Sequence, residues 1–128
     1  MKLTSRLVAI VDDDESVRES LPDLLKELGF SAAVFASSEE FLASDIVQDA
    51  KLLILDVTMP GMTGPDLYRE LKRRRVPSPV IFITGQKDEA LRSLLVDDGA
   101  VACLFKPFSD ASLQDALRLA VRRAGSVG

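Results

Sequence analysis

The sequence predicts an α/β fold, a doubly wound parallel sheet with helices on both faces, and three observations point to it. Short, almost wholly apolar runs at 7–11, 52–55 and 80–83 have the length and the Val, Ile and Leu content of strands buried on both faces. Two weaker strand candidates, at 31–35 and 101–105, fill the gaps between them. Helical patterns separate the strands, so strand and helix alternate five times at close spacing, as right-handed crossovers in a parallel sheet require.

Taken in order, the strand at 7–11 leads into a helix whose Val17, Leu21, Leu24, Leu25 and Leu28 fall on one face at 3.6-residue spacing. Gly29 supplies its stop, and Pro22 inside it is expected to bend it. After the strand at 31–35, Ser37 with Glu40 three residues on is the signature of a capping box and announces the second helix. The strand at 52–55 is followed by Gly64, with Pro65 in the first turn of the third helix. The strand at 80–83 precedes a fourth helix over about 88–98, ended by Gly99. After 101–105, Ser109 is placed to cap a fifth helix with Leu113, Ala116, Leu117, Ala120 and Val121 as its apolar stripe. Residues 1–124 are thus expected to form one domain, and 125–128, Gly-Ser-Val-Gly, a tail or the start of a linker.

A chain of 128 residues, about half of them apolar, suits a single buried core. With one cysteine, Cys103, and no histidine, it can form no internal disulfide and lacks the thiolate and imidazole ligands of common zinc sites. Any metal must therefore be held by oxygen. The apolar run at 7–11 is too short for a signal peptide or a membrane span, so a cytoplasmic setting without membrane contact is expected. A net charge of −4 gives no general reason to bind nucleic acid, and the basic run at 72–75 reads as a solvated helix end favoured by the helix dipole.

In an open sheet of this kind, ligands bind beyond the carboxyl ends of the strands. Asp12 and Asp13 follow the first strand, Asp56 the third, Thr84 the fourth and Lys106 the fifth. Singly, Asp and Thr are common there as turn and cap formers, and Thr84 alone is most simply one of these. The acids carry more weight. Adjacent first and third strands would bring Asp12, Asp13 and Asp56 together, with each ionised pair repelling by roughly a few kcal/mol. Proton uptake or a cation would relieve the repulsion, and three hard oxygen ligands suit magnesium best, with manganese as a substitute. Lys106 adds an ammonium able to pair with a carboxylate at rest and with a phosphoryl oxygen later. Metal, ammonium and hydroxyl around one carboxylate form an electrostatic cradle for a phosphoryl group, and Asp56 is best placed to receive it. An acyl phosphate there would present new charge and acceptor oxygens to the Thr84 hydroxyl, the local event that a switch needs.

The strings Ile10-Val11-Asp12-Asp13-Asp14, Leu55-Asp56-Val57-Thr58-Met59-Pro60-Gly61-Met62, Ile83-Thr84-Gly85 and Phe105-Lys106-Pro107-Phe108 occur in that order. Through them the chain resembles, over essentially its whole length, the response-regulator receiver domain of two-component signalling. The resemblance implies a flavodoxin-like sheet of order 2-1-3-4-5 flanked by five helices. It also implies that Asp56 accepts a phosphoryl group from a cognate histidine kinase or phosphotransfer protein in a magnesium-dependent reaction. Asp13 and Asp56 would ligate the metal through their carboxylates, Thr58 through its backbone carbonyl and Asp12 through water. Lys106 matches the family's phosphate-contacting lysine and Thr84 its switch hydroxyl, and the Lys106–Pro107 peptide is expected to be cis. Such a domain is no enzyme in its own right, but it assists its own phosphorylation and slow dephosphorylation, with Thr58 and Gln86 flanking the attack path.

One departure from the family pattern is Cys103, which stands where an aromatic residue is usual, three residues before the lysine. Phe105, on the same side of the strand, could supply the missing ring; alternatively Cys103 is a small core filler and Phe105 a packing residue. The fourth helix, fifth strand and fifth helix form the face through which relatives dimerise or meet their output, and a homodimer is one expectation here. Arg92, Asp97, Asp98, Arg118 and Arg122 are candidates for paired charges on that face.

The rival from another class is an aspartyl-phosphate phosphohydrolase of the haloacid dehalogenase type, but it needs a second Asp two residues after the nucleophile, where this chain has Thr58. A degenerate, unphosphorylated receiver is disfavoured because all five matching side chains are present. The sequence holds no helix-turn-helix or catalytic segment, so either a stand-alone regulator or a receiver cut from a longer chain is expected; the Met-Pro-Gly-Met-Thr-Gly and Phe-Ile-Thr-Gly strings look most like receivers joined to LuxR-type DNA-binding domains.

Overall fold

A computed structural model describes residues 6–126 of the chain. Five parallel strands, β1 (Leu7–Val11), β2 (Ser31–Phe35), β3 (Leu52–Asp56), β4 (Val80–Thr84) and β5 (Ala102–Phe105), form one sheet of order β2-β1-β3-β4-β5. They alternate with helices α1 (Glu15–Glu27), α2 (Ser38–Leu42), α3 (Gly64–Arg73), α4 (Glu89–Asp97) and α5 (Asp110–Ser126). Strand alternation sorts the core into two layers. Ala9, Val11, Leu53, Leu55, Phe82 and Cys103 pack with Phe41, Leu67, Leu71 and Leu95 of α2, α3 and α4. Val8, Ile10, Leu52, Ile54, Ile81 and Ile83 pack with Leu21 and Leu25 of α1 and with Leu113, Ala116, Leu117 and Ala120 of α5. β3 and β4 are buried along their whole length because crossover helices cover both faces. Each fully buried aliphatic side chain stabilises the fold by roughly 1.5–3 kcal/mol relative to exposure.

The helix ends follow local chemistry. The Asp14 carboxylate accepts the Ser16 N–H at 2.9 Å and opens α1, which is continuous across Pro22; Gly29, at φ +92°, turns the chain out of it. Ser37 accepts the Glu40 N–H at 3.0 Å as expected, but the Glu40 carboxylate takes the N–H of Ala36 at 2.6 Å, one residue earlier than a reciprocal capping box requires. The reciprocal box belongs instead to Thr63 and Asp66 at the start of α3, just ahead of Gly64 and Pro65. Ser109 caps α5 by accepting the Ser112 N–H at 3.0 Å.

Several boundaries shift, and β5 begins at Ala102, one residue later than expected. β3 and β4 include Asp56 and Thr84, because the ladder continues to Asp56↔Ile83 and Thr84↔Phe105. α5 runs on to Ser126, so Gly125 and Ser126, expected in the tail, are helical, while 127–128 lie outside the described residues. Adding a residue to a helix already formed costs far less than nucleating one. Among the described residues no helix is long and apolar enough to cross a membrane.

Candidate functional site

The parallel pairing of β1 with β3, Val11 opposite Leu55, sets the residues that follow β1 beside the end of β3. Carboxylate oxygens of Asp12, Asp13 and Asp56 lie within 4.8 Å of one another. Asp12 is fully buried and Asp56 only 5% exposed, whereas Asp13 opens to solvent. Lys106, carried past the end of β5, places its Nζ 2.9 Å from Asp12 Oδ2 and 3.8 Å from Asp56 Oδ1. The Lys106–Pro107 peptide beside it is cis. Asp12 Oδ1 accepts the Asp14 N–H at 2.8 Å, but the buried Oδ2 has no aligned hydrogen-bond donor beyond its ion-pair contact with Lys106.

Burial, reinforced by the Asp12 charge, pushes the Asp56 carboxyl up to about 7, against the pull of the Lys106 ammonium. Burial opposes the charge on Lys106, but its pairing with Asp12 and Asp56 outweighs that, and the ammonium is held above its ordinary value. One cation thus serves two buried carboxylates. That shortfall, an all-oxygen donor set and an underused Asp12 oxygen fit a hard divalent ion such as magnesium.

Backbone geometry fixes the rest of the site. The Gly64 N–H donates to the Val57 carbonyl at 3.2 Å, and a Cβ at Gly64 would meet the Asp56 carbonyl oxygen well inside van der Waals contact. Gly64 is therefore more than the helix start that Gly-Pro suggested; its lack of a side chain lets α3 close on the end of β3. Thr58 lies two residues past Asp56 with its side chain exposed. Thr84 is 1% exposed, and its hydroxyl accepts the Gln86 N–H at 3.1 Å.

Cys103 is buried in the core layer with Phe82, while Phe105, half-buried, lies under the Arg92 guanidinium at 3.9 Å from the ring centre. Arg92 also donates through Nε to the Cys103 carbonyl at 3.0 Å. The ion pairs made by Arg92 and Arg118 are with Glu89 and Asp115, each within its own helix, and not with Asp97 or Asp98 across the face. Residues three apart on a helix meet at little cost, which favours these local partners.

Sequence reasoning missed Ser38 and Glu39, which bond Met62, 24 and 23 residues away. No local pattern marks such a contact.

The sequence profile of the response regulator receiver domain family matches residues 8–118. Among curated proteins, the chain is similar to nodulation protein W of Bradyrhizobium diazoefficiens, 39% identical over 94% of this chain and 53% of the relative. It is also similar to the transcriptional regulatory protein FixJ of Azorhizobium caulinodans, 36% identical over 94% of this chain and 57% of the relative. The chain thus spans about half the length of these relatives. Among solved structures, FixJ-N superposes with a TM-score of 0.81 at 35% identity, covering 94% of this chain and 96% of that one. The response regulator StyR gives 0.87 at 33% identity, covering 96% and 62%. Nothing in these matches supports a haloacid dehalogenase reading. With sheet order, strand-end acids and lysine agreeing with a profile over most of its length, the chain belongs to the response regulator receiver domain family.

Proposed function

We propose that this receiver domain is a phosphoacceptor switch, in which Asp56 takes a phosphoryl group from the phosphohistidine of a kinase or phosphotransfer protein. The observation that carries the reading is the convergence of Asp12, Asp13 and Asp56 with the Lys106 ammonium at one sheet edge. A carboxylate oxygen of Asp56 forms the new P–O bond as the P–N bond breaks. The electron pair leaves with the imidazole, which is then free to hold a proton. Asp13 and Asp56 through carboxylates, Thr58 through its carbonyl and Asp12 through water are the groups that would hold magnesium or manganese, which when bound neutralises the acids and the phosphoryl oxygens. Lys106, already drawn to the cluster, is within reach of a transferred phosphoryl oxygen, and the Thr84 hydroxyl can exchange its Gln86 partner for another. Exposed Thr58 and Gln86 stand where water would approach to return the phosphate to solvent, so the domain assists reactions on itself without turning over a separate substrate.

A groove of about 590 Å3 beside Lys106, walled by Val17, Leu21 and Leu24 of α1 and by Pro107 and Phe108, suits docking of the phosphodonor protein. Relay beyond the site is read through β5, where Phe105 is the register partner of Thr84 and Arg92 ties its ring to α4. The α4, β5 and α5 face is then where a second copy or an output domain would respond. Relatives named as transcriptional regulatory proteins support an output in transcription, through segments other than this domain, and a cytoplasmic setting.

The test is to incubate the chain with acetyl phosphate and magnesium and weigh it intact. The chain is expected to gain one phosphoryl mass and the Asp56→Asn variant none. An unchanged chain, or a variant that gains the same mass, would sink the reading. A beryllofluoride complex that leaves the Phe105 ring in its rotamer under Arg92 would remove the relay through β5.

A further inference from the structure

We propose that Ser38 and Glu39, at the start of α2, are positioning residues for the phosphorylation site, clamping the loop that carries the Thr58 carbonyl; this role rests on the reading of Asp56 and Thr58 above. The loop from Val57 to Thr63 is held at its ends by the backbone. Val57 donates to the Ile83 carbonyl at 2.9 Å and accepts from Gly64, and Met59 is buried in the core layer with Phe41. At Met62 both backbone polar groups go to α2. The Ser38 hydroxyl, fully buried, donates to the Met62 carbonyl at 2.9 Å, and Glu39 Oε2 accepts the Met62 N–H at 3.0 Å.

Three further features show that this pair serves the loop and not its own helix. Ser37, not Ser38 or Glu39, supplies the α2 cap. Phe41, one turn on from Ser38, is fully buried and meets Phe35 edge-on at 5.2 Å between ring centres, so α2 has its own anchor in the core. Gly61 has φ +74°, and a Cβ there would lie 2.8 Å from Glu39 Oε2, so the loop leaves the space that lets the carboxylate lie against it.

A backbone carbonyl is a useful ligand only if it is already in place. A loop free to wander is competent for part of the time, and apparent affinity falls by that fraction. Magnesium demands near-octahedral geometry, whereas calcium tolerates irregular sites. Loosening the clamp should therefore cost magnesium more than calcium.

The experiment is isothermal titration calorimetry of magnesium and of calcium into the unphosphorylated full chain, with Glu39→Ala and Glu39→Gln compared with wild type and all three melted without metal. Ser38→Ala would leave the Met62 carbonyl without its buried donor, so the exposed Glu39 carries the test. Glu39→Ala is expected to lose roughly tenfold in magnesium affinity and clearly less in calcium affinity, while Glu39→Gln, whose amide oxygen can accept the same N–H, stays within about twofold of wild type. Wild-type magnesium affinity in Glu39→Ala, equal losses for the two ions, or a Glu39→Gln loss as large as that of Glu39→Ala would overturn the clamp while leaving the acceptor reading intact. A wild-type chain that neither binds magnesium nor gains phosphoryl mass overturns both.

Discussion

Asp56 is held where burial and the neighbouring Asp12 charge oppose its ionisation, with its carboxyl near 7 instead of the usual 3.8. The folded state therefore binds this proton more tightly than the unfolded chain does. The stability it contributes is complete below the unfolded value and is lost as pH rises through about 7. Metal-free protein is expected to weaken between about pH 5 and pH 8, and Asp56→Asn to flatten that slope and stabilise the chain at the upper end by on the order of 2 kcal/mol. Urea unfolding of both proteins at the two pH values checks this, and parallel slopes would contradict it. The gathering of this carboxylate with Asp12, Asp13 and Lys106, and the place of Thr84 at the end of β4, were legible from the sequence because each residue follows a run recognisable as a buried strand. The roles of Gly64, Ser38 and Glu39 were not, since each depends on backbone atoms brought close only by folding.

Among the elements, α3 shows both what local sequence can specify and where it compromises. Its Thr63–Asp66 box, Pro65 in the first turn and the C-terminal bonds Arg75 N–H to Lys72 O (3.0 Å) and Val76 N–H to Leu71 O (2.9 Å) are standard helix-end chemistry. The residue at the closing turn is Arg75, at φ +61°, a conformation that strains any side chain. Arg75→Gly is expected to stabilise the fold by about 0.5–1 kcal/mol, read as a higher urea midpoint with unchanged slope. An equal or lower midpoint would show that Arg75 makes up the strain elsewhere. The other members of the basic run are engaged, with Arg73 and Arg74 on Glu70, whose carboxyl they hold down to about 2, and Lys72 on the Asp98 carbonyl at 2.8 Å. A solvated helix end describes the run well, but its tie to α4 was not foreseeable from charge alone. The tie between α4 and β5 through Arg92, Phe105 and the Cys103 carbonyl is of the same kind.

For the molecule as a whole, a hard cation that binds only the folded chain stabilises it by mass action. At a magnesium concentration about tenfold above Kd the gain is ~1.4 kcal/mol, or roughly 5 °C in Tm for a domain of this size. Asp13→Ala should abolish most of that shift, and an undiminished shift in the variant would move the metal elsewhere. The fold class, the five strands, the five helices and the strand-end acids could all be read from the chain itself. Hydrophobic period, caps and turn residues are properties of neighbours in sequence, and the rule that ligands gather at strand ends converts them into a site. The distribution of Lys106 between Asp12 and Asp56, the bonds of Ser38 and Glu39 to Met62 and the closure of α3 on Asp56 are set only by the tertiary structure. These depend on distances of a few ångströms between residues 8 to 94 positions apart, which helix and strand periodicity does not encode.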